Sequence, residues 1–338
     1  MYRQMRMLGI GLLAVTALSR DKSPEVERVK TTREVMNVMW KEPADIASRD
    51  LFYGTGGKQH QPHGRLTFVK EERGGTSPKF TVRDEAGVKW MVKLGPEAGP
   101  ETAATRIVWA AGYTTDEDYF VKRLRADEMP ANLHRGRQFM EADGSFPRVR
   151  LEREYDKNWK LENWKWRRNP FEGSRELNAL RVLMAVLNNW DLKDVNNLVR
   201  EVEDGEGRRT RIYYVADLGS SFGGAGIVFS MAKSTANADA YRSSRFIRKA
   251  TPEYVDFEVP KRPPALFLMN PIELVRYLHE RWVGTHIPRA DARWTGTLLA
   301  RLSDAQIRDA FAAAGYRPAD VSEFTRALRG RIEQLRRL

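Results

Sequence analysis

At 338 residues, 41% hydrophobic and 30% charged, the chain can bury one large core or two smaller ones, and its composition excludes a disordered or fibrous polymer. Its 57 Lys and Arg against 45 Asp and Glu leave a net charge of +12, which favours anionic partners such as nucleotides, nucleic acid or an acidic membrane surface and says nothing of fold. The absence of cysteine excludes a disulfide framework and a thiolate metal site.

The N-terminus places Arg3 and Arg6 before "MLGIGLLAVTAL", then small residues and the charged "SRDKSPEVERVK". That order is a signal peptide's, so residues 1–19 are expected to be removed near Ala17 or Ser19 and the chain to be exported to a periplasm or the exterior. The stretch is too short for a transmembrane helix, no other segment is apolar enough for one, and a buried N-terminal helix on a cytoplasmic chain is the alternative. Residues 20–62 form a polar extension, with a helix expected near "TTREVMNVMW" and a Gly-rich loop at "FYGTGGKQHQPHG".

From Arg65 the period changes to that of strands: "RLTFVKEE", "KFTVRDE" and "VKWMVKL", separated by "RGGTSP" and an Asp84–Gly87 turn. "PETAATRIVWAAGY" reads as a helix opened by Pro100 and stopped by Gly112, and "DYFVKRL" as one more strand. Residues 63–125 are thus a small sheet crossed by one helix. In residues 126–338, "SRELNALRVLMAVLNNW" carries a stripe of Leu177, Leu180, Leu183, Met184 and Leu187, the mark of a buried helix. The strands "NLVREVE" and "RRTRIYYVAD" follow as a hairpin. The remainder reads as helical, with a capping box at Ser303–Gln306, a stop at Gly315 and a last helix opened by Pro318.

The order of charged residues on these elements is the functional signal. Phosphoryl transfer asks a protein for held phosphates, metal ions bridging their oxygens, and a carboxylate facing the attacking hydroxyl. Asp191 stands five residues before Asn196 in "DLKDVN", the spacing at which one loop aims a base and a metal ligand at the same phosphate. Lys193 between them can neutralise the transferring group, and Asp217 in "ADLG" ends the hairpin where a second metal ligand is needed. Upstream, Lys93 in "WMVKL" suits the α- and β-phosphates when paired with a helix glutamate, Glu101 being preferred and Glu97 its rival.

These motifs together resemble the protein-kinase-like superfamily, especially its atypical, HipA-like branch, over roughly residues 65–225. The resemblance implies an α+β, two-lobed kinase-like fold: a small antiparallel-sheet N-lobe with one helix and a larger, mainly helical C-lobe. It also makes "GGTSPKF" similar to the family's phosphate loop, in which Gly74, Gly75, Thr76, Ser77 and Lys79 would cradle phosphates with backbone N–H groups and a lysine. ATP and Mg2+ (or Mn2+) are the implied cofactors, and the partner is an acceptor bearing a hydroxyl: protein, sugar, lipid or small molecule. The departures are specific. Asn189-Trp190 replaces the His-Arg before the catalytic Asp, Leu218 replaces Phe, and neither G-x-G-x-x-G nor A-P-E is present.

Other classes are less well supported. The histidines form no HExxH, and His60 and His63 are separated by a proline-containing loop, which argues against a zinc enzyme. Trp159, Trp164 and Trp166 alternate with basic residues as a single-strand nucleic-acid platform would, although core packing explains them more simply. A nucleotide-binding pseudokinase or scaffold and an AMP-transferring enzyme remain the alternatives on the same fold.

Overall fold

The computed structural model describes residues 35–75, 77–155, 160–189, 191–223, 236–258 and 271–338. The signal-like segment 1–19, Thr76, Trp159, Trp190 and residues 224–235 behind Asp217 lie outside these described residues.

The architecture is the α+β arrangement expected: an antiparallel-sheet N-terminal region with one helix, then a mainly helical C-terminal part. The sheet runs β2 (Thr67–Glu72), β3 (Lys79–Arg83), β4 (Lys89–Lys93), β7 (Phe146–Arg153), β6 (Asp118–Leu124), each pair antiparallel. Alternation along these strands makes two unlike faces. Phe80, Val82, Trp90, Val92, Val149 and Leu151 share one and form an apolar cluster with Leu133, Phe139 and Met140. The other face carries Lys93 opposite Arg150, and Met91 opposite Glu152, which in turn faces Asp118. Strand β7 has no counterpart in the sequence reading, and it carries the first sheet past residue 125 to Arg153.

Helix α1 (Ala98–Ala110) packs on the ionic face, and every one of its residues except Trp109 is buried. Its small residues, Ala98, Gly99, Ala103 and Ala104, let neighbours approach on several sides. Strands β6 and β7 lie on one side and helix α6 (Asp304–Ala313) on another. Behind it runs the segment 36–61, which binds α1 like a strap. Trp40 Nε1 donates to Ala111 O at 2.7 Å and Arg49 Nη1 to Trp109 O at 2.5 Å. Gly54, at φ 72°, lies flat on the Arg106 guanidinium, where an added Cβ would stand 2.4 Å from Nε. At the strap's end, His60 Nδ1 meets Glu117 Oε1 at 3.2 Å.

In the C-terminal part, α2 (Arg175–Leu187) is opened by the Ser174 side chain, which accepts from Leu177 N, and closed by Asn188 in the left-handed region at φ 55°. Leu177, Leu180, Leu183, Met184 and Leu187 are all buried, each contributing about 2 kcal/mol of apolar transfer. Helices α5 (Arg289–Leu299), α6 and α7 (Pro318–Arg336) surround α2 and α1 in one large cluster, with both halves of the Ser303–Gln306 capping box made. The hairpin β9 (Leu198–Glu203) and β10 (Arg209–Val215) pairs with β8 (Lys160–Glu162) on its β9 side.

Two expectations are corrected. The helix expected near residues 31–40 is, within the described residues, strand β1 (Met36–Val38), paired in parallel with β10. Its partner is remote in sequence, so local periodicity could not announce it. The stretch read as helical after the hairpin contains, besides α3 (Ala238–Ser243) and α4 (Pro271–Arg281), a three-stranded sheet of β11 (Ile247–Ala250), β12 (Tyr254–Phe257) and β13 (Ile287–Pro288). These strands are too short to set up a period of their own. Among the described residues no helix is long and apolar enough to cross a membrane.

Candidate active site

Lys93 ends β4 and points from the ionic face toward the first turn of α1. Its Nζ lies 2.8 Å from Glu101 Oε2, 3.1 Å from Glu97 Oε2 and 2.9 Å from Asp217 Oδ1. Asp217 reaches it because β10 ends there, held by strand β5 (Thr114–Thr115), and because Asp217 itself turns into the left-handed region at φ 52°. Leu218 is buried, and Gly219 fits against Glu97 so closely that an added Cβ would stand 2.8 Å from the Glu97 Cβ. The "ADLG" glycine therefore has a steric reason: no side chain fits between that turn and the start of α1.

The electrostatics follow from this crowding. Burial opposes the Lys93 charge, but Glu101, Asp217 and Glu97 outweigh it and hold the lysine well above its ordinary range. Burial pushes the Glu101 carboxyl up to about 7 despite Arg150 and Lys93 beside it. Asp217 also feels burial, yet Lys93 keeps its carboxyl below the usual value, with Arg150 and Lys193 helping. Glu97 and Asp217 share Lys93 with Glu101, while of these three carboxylates Arg150 meets Glu101.

The second half of the site leaves the C-terminal end of α2. Asn189 Oδ1 accepts from Asp191 N at 2.9 Å, and Asn196 Nδ2 donates to Asp191 O at 3.0 Å, which closes the loop on itself. Lys193 Nζ lies 2.8 Å from Asp191 Oδ1 and 2.9 Å from Oδ2. Asp194 turns away: its Oδ1 accepts from Trp166 N at 3.0 Å, and its role is to hold the loop. Asp191, Lys193, Asn196, Ala216 and Leu218 line one small cavity, so the catalytic-type loop and the "ADLG" turn face each other.

Of the residues expected from sequence, Lys93, Glu101 and Asp217 are bonded together, and Asp191, Lys193 and Asn196 stand in the loop that shares a cavity with Ala216 and Leu218, the two residues flanking Asp217. Glu97, the rival to Glu101, bonds Lys93 as well, so the two glutamates share the task. Of the expected phosphate loop, Ser77 Oγ donates to Glu97 Oε2 at 2.8 Å, which ties that turn to the lysine cluster. Gly75 takes φ 78°, Gly74 has open space around it, and Lys79, the first residue of β3, lies directly opposite Lys93 in register. Sequence reasoning missed Arg150, whose Nη2 lies 3.1 Å from Glu101 Oε1. A charged residue in an alternating strand reads as solvent-facing, and only the burial of both sheet faces reveals otherwise. The tryptophans Trp164 and Trp166 are buried edge to face with centroids 5.0 Å apart, so neither offers a stacking platform.

The donor set suits Mg2+ or Mn2+. Asp217, with its side chain 44% exposed, uses only Oδ1 on Lys93 among the described contacts, and Asn196 donates through its nitrogen, leaving its carbonyl oxygen. Among the described residues there is no cluster of three or more His, Cys, Asp or Glu able to hold a metal alone. A site sharing its ion with phosphate oxygens and water needs none.

No family model matches the chain, and no curated protein matches it. Among solved structures it is similar to a Helicobacter pylori proinflammatory kinase, CtkA, at 10% identity and a TM-score of 0.41, covering 80% of this chain and 93% of that one. It is also similar to the Rio2 kinase of Chaetomium thermophilum in an ADP/Mg2+–phosphoaspartate complex, at 12% identity and a TM-score of 0.33, covering 80% of this chain and 72% of that one. Neither activity nor substrate carries over at such identities.

Proposed function

We propose that the chain is an atypical kinase, a metal-assisted phosphotransferase that moves the γ-phosphoryl group of ATP to a hydroxyl acceptor, of the HipA-like kind that its motifs resemble. The observation that carries this reading is the single contact cluster of Lys93, Glu101 and Asp217, drawn from strand, helix and "ADLG" turn, with Ala216 and Leu218 of that turn lining a cavity with the Asp191 loop. Solvated Asp-rich turns have no reason to converge in this way.

Lys93 would hold nucleotide phosphates, kept charged and aimed by Glu101 and Glu97. Asp217 and Asn196 would hold the metal, which would supply positive charge against the phosphates. Asp191 takes the proton from the acceptor hydroxyl as the new O–P bond forms and the bond from the γ-phosphorus to the β-phosphate oxygen breaks. Lys193, already on Asp191, offers positive charge to the group in flight.

A melting experiment tests the shared premise. Mg–ATP at about one hundred times its Kd should stabilise the protein by roughly 2.7 kcal/mol. No shift with any nucleotide–metal pair, in protein shown to be folded, would sink the reading. Mass spectrometry of incubated products then separates phosphate transfer from AMP transfer and from a pseudokinase that transfers neither.

A further inference from the structure

Arg150 is the unusual residue of this site. It sits in β7 between β4 and β6, directly opposite Lys93 in register, with 2% of its side chain exposed. Two like charges facing each other across a ladder repel, and a buried guanidinium is costly unless paired on several sides. Here the repulsion is resolved by one carboxylate between them: Glu101 gives Oε2 to Lys93 at 2.8 Å and Oε1 to Arg150 at 3.1 Å. Arg150 is itself fixed from behind. Its Nη1 donates to Glu152 Oε2 at 3.1 Å and lies 3.7 Å from Asp118 Oδ2. Asp118 is in turn locked by Arg106 Nη1 at 2.5 Å and by Thr105 Oγ1 at 3.0 Å. The opposite face of the same strand is apolar, so burial alone asks for no charge here.

We propose that Arg150 is a positioning residue of the nucleotide site: by holding one oxygen of Glu101, it fixes the other where it anchors Lys93. Its functional meaning rests on the phosphotransferase reading, but the contact is a property of the nucleotide-free protein. Arg150 touches neither phosphate nor metal in this scheme; it acts through Glu101.

The test reads Lys93 directly. Nucleotide-free protein is treated with an amine-acylating reagent, and the Lys93 peptide is followed by mass spectrometry, with surface lysines as internal controls. Arg150→Met and Glu101→Gln should each speed Lys93 acylation several-fold, because a lysine whose partner oxygen is no longer held is more often free to meet the reagent. Losing the Arg150 charge would by itself favour the charged lysine and slow the reaction, so acceleration reports the lost contact. The double variant should go no faster than either, because the two act on one contact. In parallel, both single variants should weaken Mg–ATP binding in the melting assay, again without adding. Unchanged Lys93 acylation in folded Arg150→Met, or effects that multiply in the double variant, would overturn the proposal. Should Arg150→Met fail to fold, Arg150→Lys keeps the charge but cannot reach Glu101 and Glu152 together; intermediate acceleration supports the proposal and no acceleration overturns it. If Mg–ATP leaves the parent unmoved, the kinase reading fails, while the acylation comparison still decides the role of Arg150.

Discussion

Two lysine–carboxylate pairs, Lys93–Glu101 and Lys193–Asp191, are equally short at 2.8 Å but are set in very different surroundings. Lys93 joins three carboxylates from a helix and a remote turn, and Glu101 behind it is held by a buried arginine. Lys193 meets one carboxylate two residues away in its own loop, with 29% of its side chain exposed. The half that would grip a nucleotide is over-determined by tertiary structure. The half that would carry out transfer is a loop closed on itself, with polar groups left to spend on a substrate. Equal distances therefore conceal unequal settings: one pair organises the fold around a charge, and the other, on the phosphotransferase reading, would keep a base and a cation ready.

The sharpest way to break this comparison is Asp191→Asn, which keeps size and removes the proton acceptor. Turnover should fall about a thousandfold while the Mg–ATP melting shift survives. If binding is lost instead, the division between gripping and transferring halves is wrong. Next in size is the contrast between the lysines. Lys93→Met strands the buried Glu101 beside the partly exposed Glu97 and Asp217, and should cost about 3 kcal/mol of stability in urea unfolding. Lys193→Met, which breaks a partly exposed pair within one loop, should cost less than about 1 kcal/mol. Equal losses would show that the two pairs are structurally alike after all.

The last effect is a slope with pH. Because burial raises Glu101 from its ordinary 4.5 to about 7, the folded chain keeps a proton that the unfolded chain releases between those values. Its contribution is therefore fully present below about pH 4.5 and declines as pH rises to about 7. Unfolding at several pH values should show this decline in the parent and a flatter profile in Glu101→Gln. A parent whose stability instead rises across that window, with Glu101→Gln following the same curve, would remove Glu101 from the account.

The motifs were legible because they are local in form: "WMVKL" alternates, "LNALRVLMAVL" has a helical stripe, and "DLKDVN" and "ADLG" keep their spacing around a hairpin. What bound them together was not. Arg150 lies in "FPRVRLER", where alternating charges suggest a wet face, and its burial depends on α1 covering that face. Strand β1 owes its conformation to β10, and the pairing of β5 with β10 just before Asp217 joins segments remote in sequence. Glu97 shows the same limit at short range. Sequence prefers Glu101 because it begins the helical pattern, yet Gly219 and Ser77 hold Glu97 against Lys93 as well.

The enclosure of α1 also bears on the order in which the protein is made. Its walls come from both ends of the described chain: Gln306 Nε2 bonds Ile46 O at 2.8 Å and Arg49 O at 3.0 Å, and Arg301 bonds Pro43 O at 2.9 Å. A chain leaving the ribosome has already presented Lys93, Glu101, Asp191 and Asp217 before α6 exists. Until then, the small-residue side of α1 lacks the partner on which it packs, and contacts of such long sequence separation form slowly. Translation stopped between the "ADLG" turn and α6 thus yields a polypeptide with every residue of the site and an unfinished socket for the helix that aims them. The emergence of α6, rather than the appearance of the site residues, marks the moment at which the Lys93 cluster can be assembled.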